Sequence, residues 1–188
     1  MFKLYLELGF THILDLAAYD HMLFLLALVA FYVWKDWKKV LILATAFTIG
    51  HSLTLALVVL NVFTVPVKLV EVCIPVTIIL TAIYNISRKG EDENNKVAYL
   101  LALFFGLIHG MGFSNQLRSS IMPGESLLSQ LLAFNIGLEL GQVIFVIVVL
   151  VINTLIRKLL GNNGKHWPKG LSILAILVSL KLIFDLLN

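Results

Sequence analysis

Long apolar stretches separated by short polar links make up most of this chain. Six of them are long enough for a membrane-spanning helix, which needs about 20 mostly apolar residues. They cover residues 11–33, 40–61, 69–87, 97–117, 127–156 and 170–187. The period-two alternation of a transmembrane β-barrel is absent from the sequence. The pattern therefore predicts an all-α, polytopic transmembrane bundle that forms a single domain over residues 1–188.

Composition supports the lipid bilayer as the surroundings of this bundle. Hydrophobic residues make up 60% of the chain and charged residues 13%, and the mean hydropathy is +0.96. A soluble domain has about 45–50% apolar and about 25% charged residues. The net charge of +3 is too small, and too confined to links, to indicate nucleic acid. Because Cys73 is the single cysteine, a disulfide within the chain is excluded.

The distribution of basic residues predicts the orientation. Ten of the fourteen Lys and Arg residues fall in the links 34–39, 88–96 and 157–170. Basic links favour the cytoplasmic side of a membrane. Both termini are therefore predicted to lie outside, which agrees with an even number of spans.

Ionisable residues recur at one depth of the predicted bundle. His21, His51, His109 and Glu139 each lie about ten to twelve residues from the start of a span. At 1.5 Å per residue that is about 15–18 Å, near the middle of a hydrocarbon core of about 30 Å. Charged groups at such a depth are costly and usually mark function.

Other polar residues share helix faces with these four or lead toward them. Asn135, Glu139 and Gln142 form one stripe, and Thr48 shares a face with His51. Asp20 and His21 are adjacent and would point about 100° apart on a regular helix. Either the helix is locally unwound there, or Asp20 orients another group, as carboxylates do behind metal-bound imidazoles. Roles in orienting the metal ligands or in lining the access route are predicted for His12, Asp15, Asp20, Thr48, Asn135 and Gln142.

Three imidazoles and one carboxylate suit a divalent transition metal such as Zn, Ni or Co. The predicted metal ligands are His21, His51, His109 and Glu139. A single intramembrane His is more often a hydrogen-bonding residue that holds helices together. Four ionisable residues at one depth favour the metal site instead.

Four sequence blocks resemble the HupE/UreJ family of hydrogenase- and urease-accessory membrane proteins, and most closely its second branch. They are GFTHILDLAAYDHMLF (9–24), TAFTIGHSLTLAL (45–57), GLIHGMGF (106–113) and FNIGLELGQ (134–142). The resemblance implies a multi-pass protein of the bacterial inner membrane that handles a divalent metal, with nickel or cobalt permeases as the best-known members. It also implies that His12, Asp20, His21 and His109 stand at the family's functional positions.

The chain departs from the permease branch in two places. Seven residues separate His12 from Asp20, where that branch has five between its first His and its Asp-His pair. Phe105 and Gly112 stand where that branch has a second His and a Glu. Glu139 is expected to supply a replacement carboxylate.

Two functions follow from a metal site of this kind. A permease would bind the ion in mid-membrane and release it inward, but the inner half of the sequence offers few polar residues to line a route. A metal-dependent intramembrane hydrolase would activate a zinc-bound water toward a lipid or lipoprotein, with Glu139 or Asp20 as general base. An accessory protein that only binds metal is the third alternative. The formation of a homo-oligomer stays open.

Overall fold

The structure, a computed structural model, describes residues 1–16, 19–87, 95–121 and 126–188. Within these residues the chain is helical, in agreement with the predicted all-α class. The α-helices are α1 (Phe2–Ile13), α2 (Asp20–Val29), α3 (Trp37–Val59), α4 (Val67–Ser87), α5 (Asn95–Ser120), α6 (Leu127–Leu160) and α7 (Trp167–Leu187). Two 3₁₀ turns, Trp34–Asp36 and Gly161–His166, precede α3 and α7. The predicted link 88–96 lies mostly outside the described residues.

Several helices have the length and composition of membrane spans. Among the described residues there are four such stretches: Trp34–Val59, Val67–Ser87, Lys96–Ser114 and Leu127–Leu187. The last stretch contains both α6 and α7, and α2 is a shorter apolar helix. Large apolar side chains such as Leu100, Ile147 and Leu177 are exposed on the bundle surface. Exposed apolar surface on so many helices is typical of contact with lipid.

The first predicted span, 11–33, is not one helix. α1 ends at Ile13 and α2 begins at Asp20. An acidic residue in the first turn of a helix is favourable because it faces the positive end of the helix dipole. Here the Asp20 Oδ1 also accepts a hydrogen bond from the backbone N–H of His21, at 2.8 Å. The interruption separates two short helices that a continuous span would have joined.

Glycines allow the helices to approach closely at two crossings. α3 crosses α5 where Gly50 faces the Leu103 carbonyl and Gly106 faces the Phe47 carbonyl. A methyl group at either glycine would overlap the facing carbonyl oxygen. α1 lies against α6 in the same way, through Gly137. Such small-residue contacts let helix backbones pack closely in membranes.

Hydrogen bonds identify the two ends of the bundle. At one end, called the upper end here, the Arg118 guanidinium donates to the Val58 carbonyl and joins the last turns of α5 and α3. At the opposite, lower end, the Asn153 amide lies 3.3 Å from the carbonyl oxygens of Val29 and Tyr32. These contacts join α6 to the end of α2. The helices α3 and α5 therefore run from the lower to the upper end, and α6 runs in the opposite direction.

Candidate metal centre

Four histidine rings meet in the interior of the bundle. One ring nitrogen each of His12, His21 and His51 lies within 4.8 Å of the other two. The ring centroid of His109 lies 5.0 Å from that of His21. We refer to these four residues as the histidine cluster. Three of its members were predicted as ligands, whereas His12 was predicted at the access route and is found inside the cluster.

The local folding of the chain explains how the four rings reach one place. His12 lies in the last turn of α1, and His21 lies in the first turn of α2, so the interruption between these helices brings both rings inward. Their centroids are 4.5 Å apart. His51 and His109 come from α3 and α5, which cross closely beside Gly110, a residue that faces the His51 carbonyl.

Asp20 fixes the orientation of the His21 ring. The Nδ1 of His21 lies 3.0 Å from the Asp20 Oδ1. An ionised carboxylate only accepts hydrogen bonds, so Nδ1 carries the proton and Nε2 keeps its lone pair. A carboxylate behind an imidazole is the arrangement that orients metal-bound histidines. The helix is interrupted here, and Asp20 contacts the ring of the adjacent His21.

Thr77 on α4 orients His109 in the same manner. The Thr77 hydroxyl lies 2.6 Å from the Ile74 carbonyl oxygen, to which it donates its only proton. It therefore accepts a hydrogen bond from the His109 Nε2, which is 3.1 Å away. The His109 Nδ1 is left with its lone pair. Thr77 was not predictable from the sequence, because nothing in its spacing connects α4 with α5.

The free nitrogens of the cluster fit a metal ion. Within the described residues, five buried ring nitrogens have no hydrogen-bond partner: His12 Nε2, His21 Nε2, His51 Nδ1, His51 Nε2 and His109 Nδ1. The side chains of His51 and His109 are fully buried, and His21 is 3% exposed. Buried polar atoms without partners are costly, and neutral imidazole is the commonest metal ligand. Each neutral ring can offer one nitrogen to an ion, at bond lengths of about 2.0–2.1 Å for zinc.

Glu139, the fourth predicted ligand, lies on the neighbouring contact between α3 and α6. Its Oε1 accepts a hydrogen bond of 2.6 Å from the exposed hydroxyl of Thr45. Glu139 is half-buried and does not belong to the close group of three histidines. Asp20, by contrast, directly contacts a histidine of the cluster.

The other predicted polar residues form contacts around the cluster. Three of them, Thr48, Asn135 and Gln142, extend the contact between α3 and α6: Ser52 donates to the Asn135 side-chain oxygen at 2.6 Å, and Thr48 donates to that of Gln142 at 2.9 Å. Thr48 precedes His51 by one helical turn and therefore lies on its lower side. We call these pairs, together with Thr45 and Glu139, the polar seam.

Three adjoining cavities surround the cluster on its upper side. A large cavity of about 460 Å³ is lined by Asp15, His12 and Gln116, among others. A central cavity of about 160 Å³ is lined by His12, Asp20, His21, Glu71, Ile74, His109, Gly112, Phe113 and Gln116. A lateral cavity of about 300 Å³ lies between α4 and α7 and shares Asp20, Glu71 and Ile74 with the central one. Gln116 was not predicted at the site.

A buried group of imidazoles inside an apolar helical bundle defines the class of the molecule as a membrane protein with a candidate metal centre. The family model described as HupE / UreJ protein matches residues 1–185. The chain therefore belongs to the HupE / UreJ family, which is associated with nickel and cobalt accessory membrane proteins, and the predicted resemblance is confirmed. Comparison with curated proteins gave no match. Comparison with solved structures gave none either.

Proposed function

We propose that this protein is a permease for a divalent transition metal of the nickel or cobalt type, and that the histidine cluster binds the ion in transit. The observation that supports this most is the set of buried ring nitrogens without partners, since an ion bound there would satisfy one nitrogen of each ring at once. Neutral imidazoles bind nickel, cobalt and zinc alike, so the donor set is compatible with the metals associated with the family.

The cavities on the upper side supply the first half of a route. The large cavity adjoins the central one, and His12, Phe113 and Gln116 line both, so an ion that enters from the upper end would arrive beside the cluster. With both termini outside, as the basic residues predict, this entrance faces the exterior, and the six predicted spans would cross a bacterial inner membrane.

The polar seam supplies a continuation below the cluster. Thr48 and Thr45 precede His51 by one and two helical turns, toward the lower end, and they face Gln142 and Glu139. Gln142 is fully buried and its Nε2 has no partner within the described residues. Separation of α3 from α6 along this seam would expose oxygen ligands to an ion that leaves the cluster. Glu139 would then bind the ion after the imidazoles have released it.

Ion flux into liposomes tests the permease directly. Purified protein in sealed vesicles should take up Ni²⁺ or Co²⁺ with saturation, and His51→Ala should reduce uptake by at least about tenfold, the effect of about 1.4 kcal/mol of lost binding. His166→Ala is the matched control, because His166 is exposed in a 3₁₀ turn at the lower end. Stoichiometric binding without any flux would contradict the proposal.

A second candidate is a metal-dependent hydrolase, which the lateral cavity favours. This cavity places Leu182, Leu186 and Pro75 beside Asp20, so an acyl chain and a polar headgroup could both be accommodated. Zinc held by three histidines would lower the pKa of a bound water toward 7. Asp20 lines the central cavity and is the better placed general base, whereas Glu139 contacts Thr45. Zinc-dependent release of fatty acid from vesicle lipids would support this function over transport.

A further inference from the structure

Glu71 occupies the boundary between two of the cavities beside the histidine cluster. It lines the central cavity together with His21 and His109, and it lines the lateral cavity together with Asp20. Glu71 is exposed. Within the described part of the chain it makes no hydrogen bond or ion pair, whereas Asp20 is engaged with His21. Glu71 is thus the uncommitted carboxylate of the central cavity.

The backbone at Glu71 offers a second oxygen. Pro75 lies inside α4, four residues after Glu71. Proline has no N–H, so the carbonyl of the residue four positions earlier loses its helical hydrogen bond. The Glu71 carbonyl is that group. Backbone carbonyls freed within membrane helices commonly coordinate cations in transport proteins.

The same cavity contains buried nitrogen ligands deeper in the bundle. His21 Nε2 and His109 Nδ1 have no partner among the described residues, and both rings line the central cavity. The cavity therefore has oxygen donors at its rim, from Glu71 and Gln116, and nitrogen donors at its base. Oxygen ligands suit hydrated, hard cations, whereas imidazole suits transition metals that have lost water.

We infer that Glu71 forms an outer cation-binding site, in which its carboxylate and carbonyl oxygens hold a hydrated divalent cation before the ion passes to the histidine cluster. This inference rests on the proposed function, because it assigns a step to the same cargo. A carboxylate at the rim raises the local concentration of cations and so accelerates their arrival, while the imidazoles determine how tightly the ion is finally held. Glu71 therefore controls the rate of loading and not the final occupancy.

The rate of Co²⁺ loading into purified full-length protein tests this role, because Co²⁺ bound by imidazoles has a visible ligand-field spectrum. Glu71→Gln should slow the appearance of that spectrum by about tenfold or more, within the range known for electrostatic steering. The final absorbance and the amount of bound cobalt should match the wild type. Glu7→Gln is the matched control, since Glu7 is an exposed carboxylate on α1 that pairs with Lys3 at 3.6 Å; it should load at the wild-type rate.

Competition by Mg²⁺ tests the outer site in the wild type, and a variant that keeps the charge tests the carboxylate itself. Mg²⁺ prefers oxygen ligands and binds imidazole poorly. Excess Mg²⁺ should therefore slow Co²⁺ loading of the wild type without displacing cobalt already bound. Glu71→Asp, which keeps the charge, should restore part of the lost rate.

Three results would overturn the inference. They are loading of Glu71→Gln at the wild-type rate, loss of the bound cobalt spectrum in that variant, or loading of the wild type that is insensitive to Mg²⁺. The second would make Glu71 a ligand of the cluster itself. In all three cases the wild type still binds cobalt, so the proposed function stands. A wild type that binds no Co²⁺ would instead overturn the proposed function.

Discussion

Substitution of Gly106 by alanine should separate α3 from α5 and weaken metal binding. An ideal Cβ at this position would lie closer than 3.0 Å to the Phe47 carbonyl oxygen, 3.0 Å from its carbonyl carbon and 3.1 Å from the His51 backbone nitrogen. All of these are backbone atoms, so no side-chain rotation can relieve the overlap. The two helices would have to move apart by about 1 Å, at a cost of about 1–3 kcal/mol of stability.

The consequence for the metal centre follows from the positions of its ligands. His51 is on α3 and His109 is on α5, so the displacement changes the distance between them. Metal–ligand bonds tolerate deviations of only about 0.2 Å. Loss of one well-placed imidazole should then reduce metal affinity by about tenfold or more, which corresponds to about 1.4 kcal/mol. Competition titration with a chelating dye would measure the change, and thermal unfolding in detergent would measure the cost in stability.

Gly112→Ala provides the control on the same helix. Its Cβ would first meet the Ile74 Cδ1, at 2.9 Å, which is the flexible end of a side chain and can move away. This variant should keep the wild-type metal affinity and lose little stability. Equal metal affinity of Gly106→Ala and the wild type would refute the reasoning that the close crossing positions the ligands.

Three further substitutions probe the site and its support. Asp20→Asn removes the carboxylate that orients His21 and should weaken metal binding by about 10–100-fold in the same titration, with an unchanged melting temperature; unchanged affinity would contradict the assigned role. Thr77→Val removes the acceptor of the His109 proton and should weaken binding in that range, whereas Thr77→Ser should restore it. Asn153→Leu should lower the melting temperature, because it leaves carbonyls at the lower end unsatisfied, while metal stoichiometry stays at the wild-type value.

The all-helical class was predictable from the sequence, and so was the position of His51 and His109 along their helices. Length and hydropathy are properties of each stretch alone, so five of the six apolar stretches correspond to single helices whose observed ends differ by a few residues, whereas the first is divided between α1 and α2. The depth of His51 and His109 follows from counting along a regular helix, and both lie in the cluster. Such predictions require no knowledge of which helices become neighbours.

The features that the sequence did not predict depend on tertiary contacts. A break between Ile13 and Asp20 places His12 in the cluster instead of on the access route, and α1 packs on α6 next to this break. The spacing of Glu139 and Gln142 correctly placed both on one face of α6. Spacing along one helix does not predict which residue of the opposite helix each side chain contacts. Thr45, two turns below His51, is the one that contacts Glu139.

X-ray absorption spectroscopy of the purified, Ni²⁺- or Co²⁺-loaded protein tests the central claim most directly, because it counts the imidazoles around the ion. The account predicts one ion per chain, with at least three imidazole nitrogens about 2.0–2.1 Å away, and fewer imidazoles in His21→Ala. A stoichiometric ion surrounded by oxygen atoms alone would contradict it, as would the absence of any bound ion.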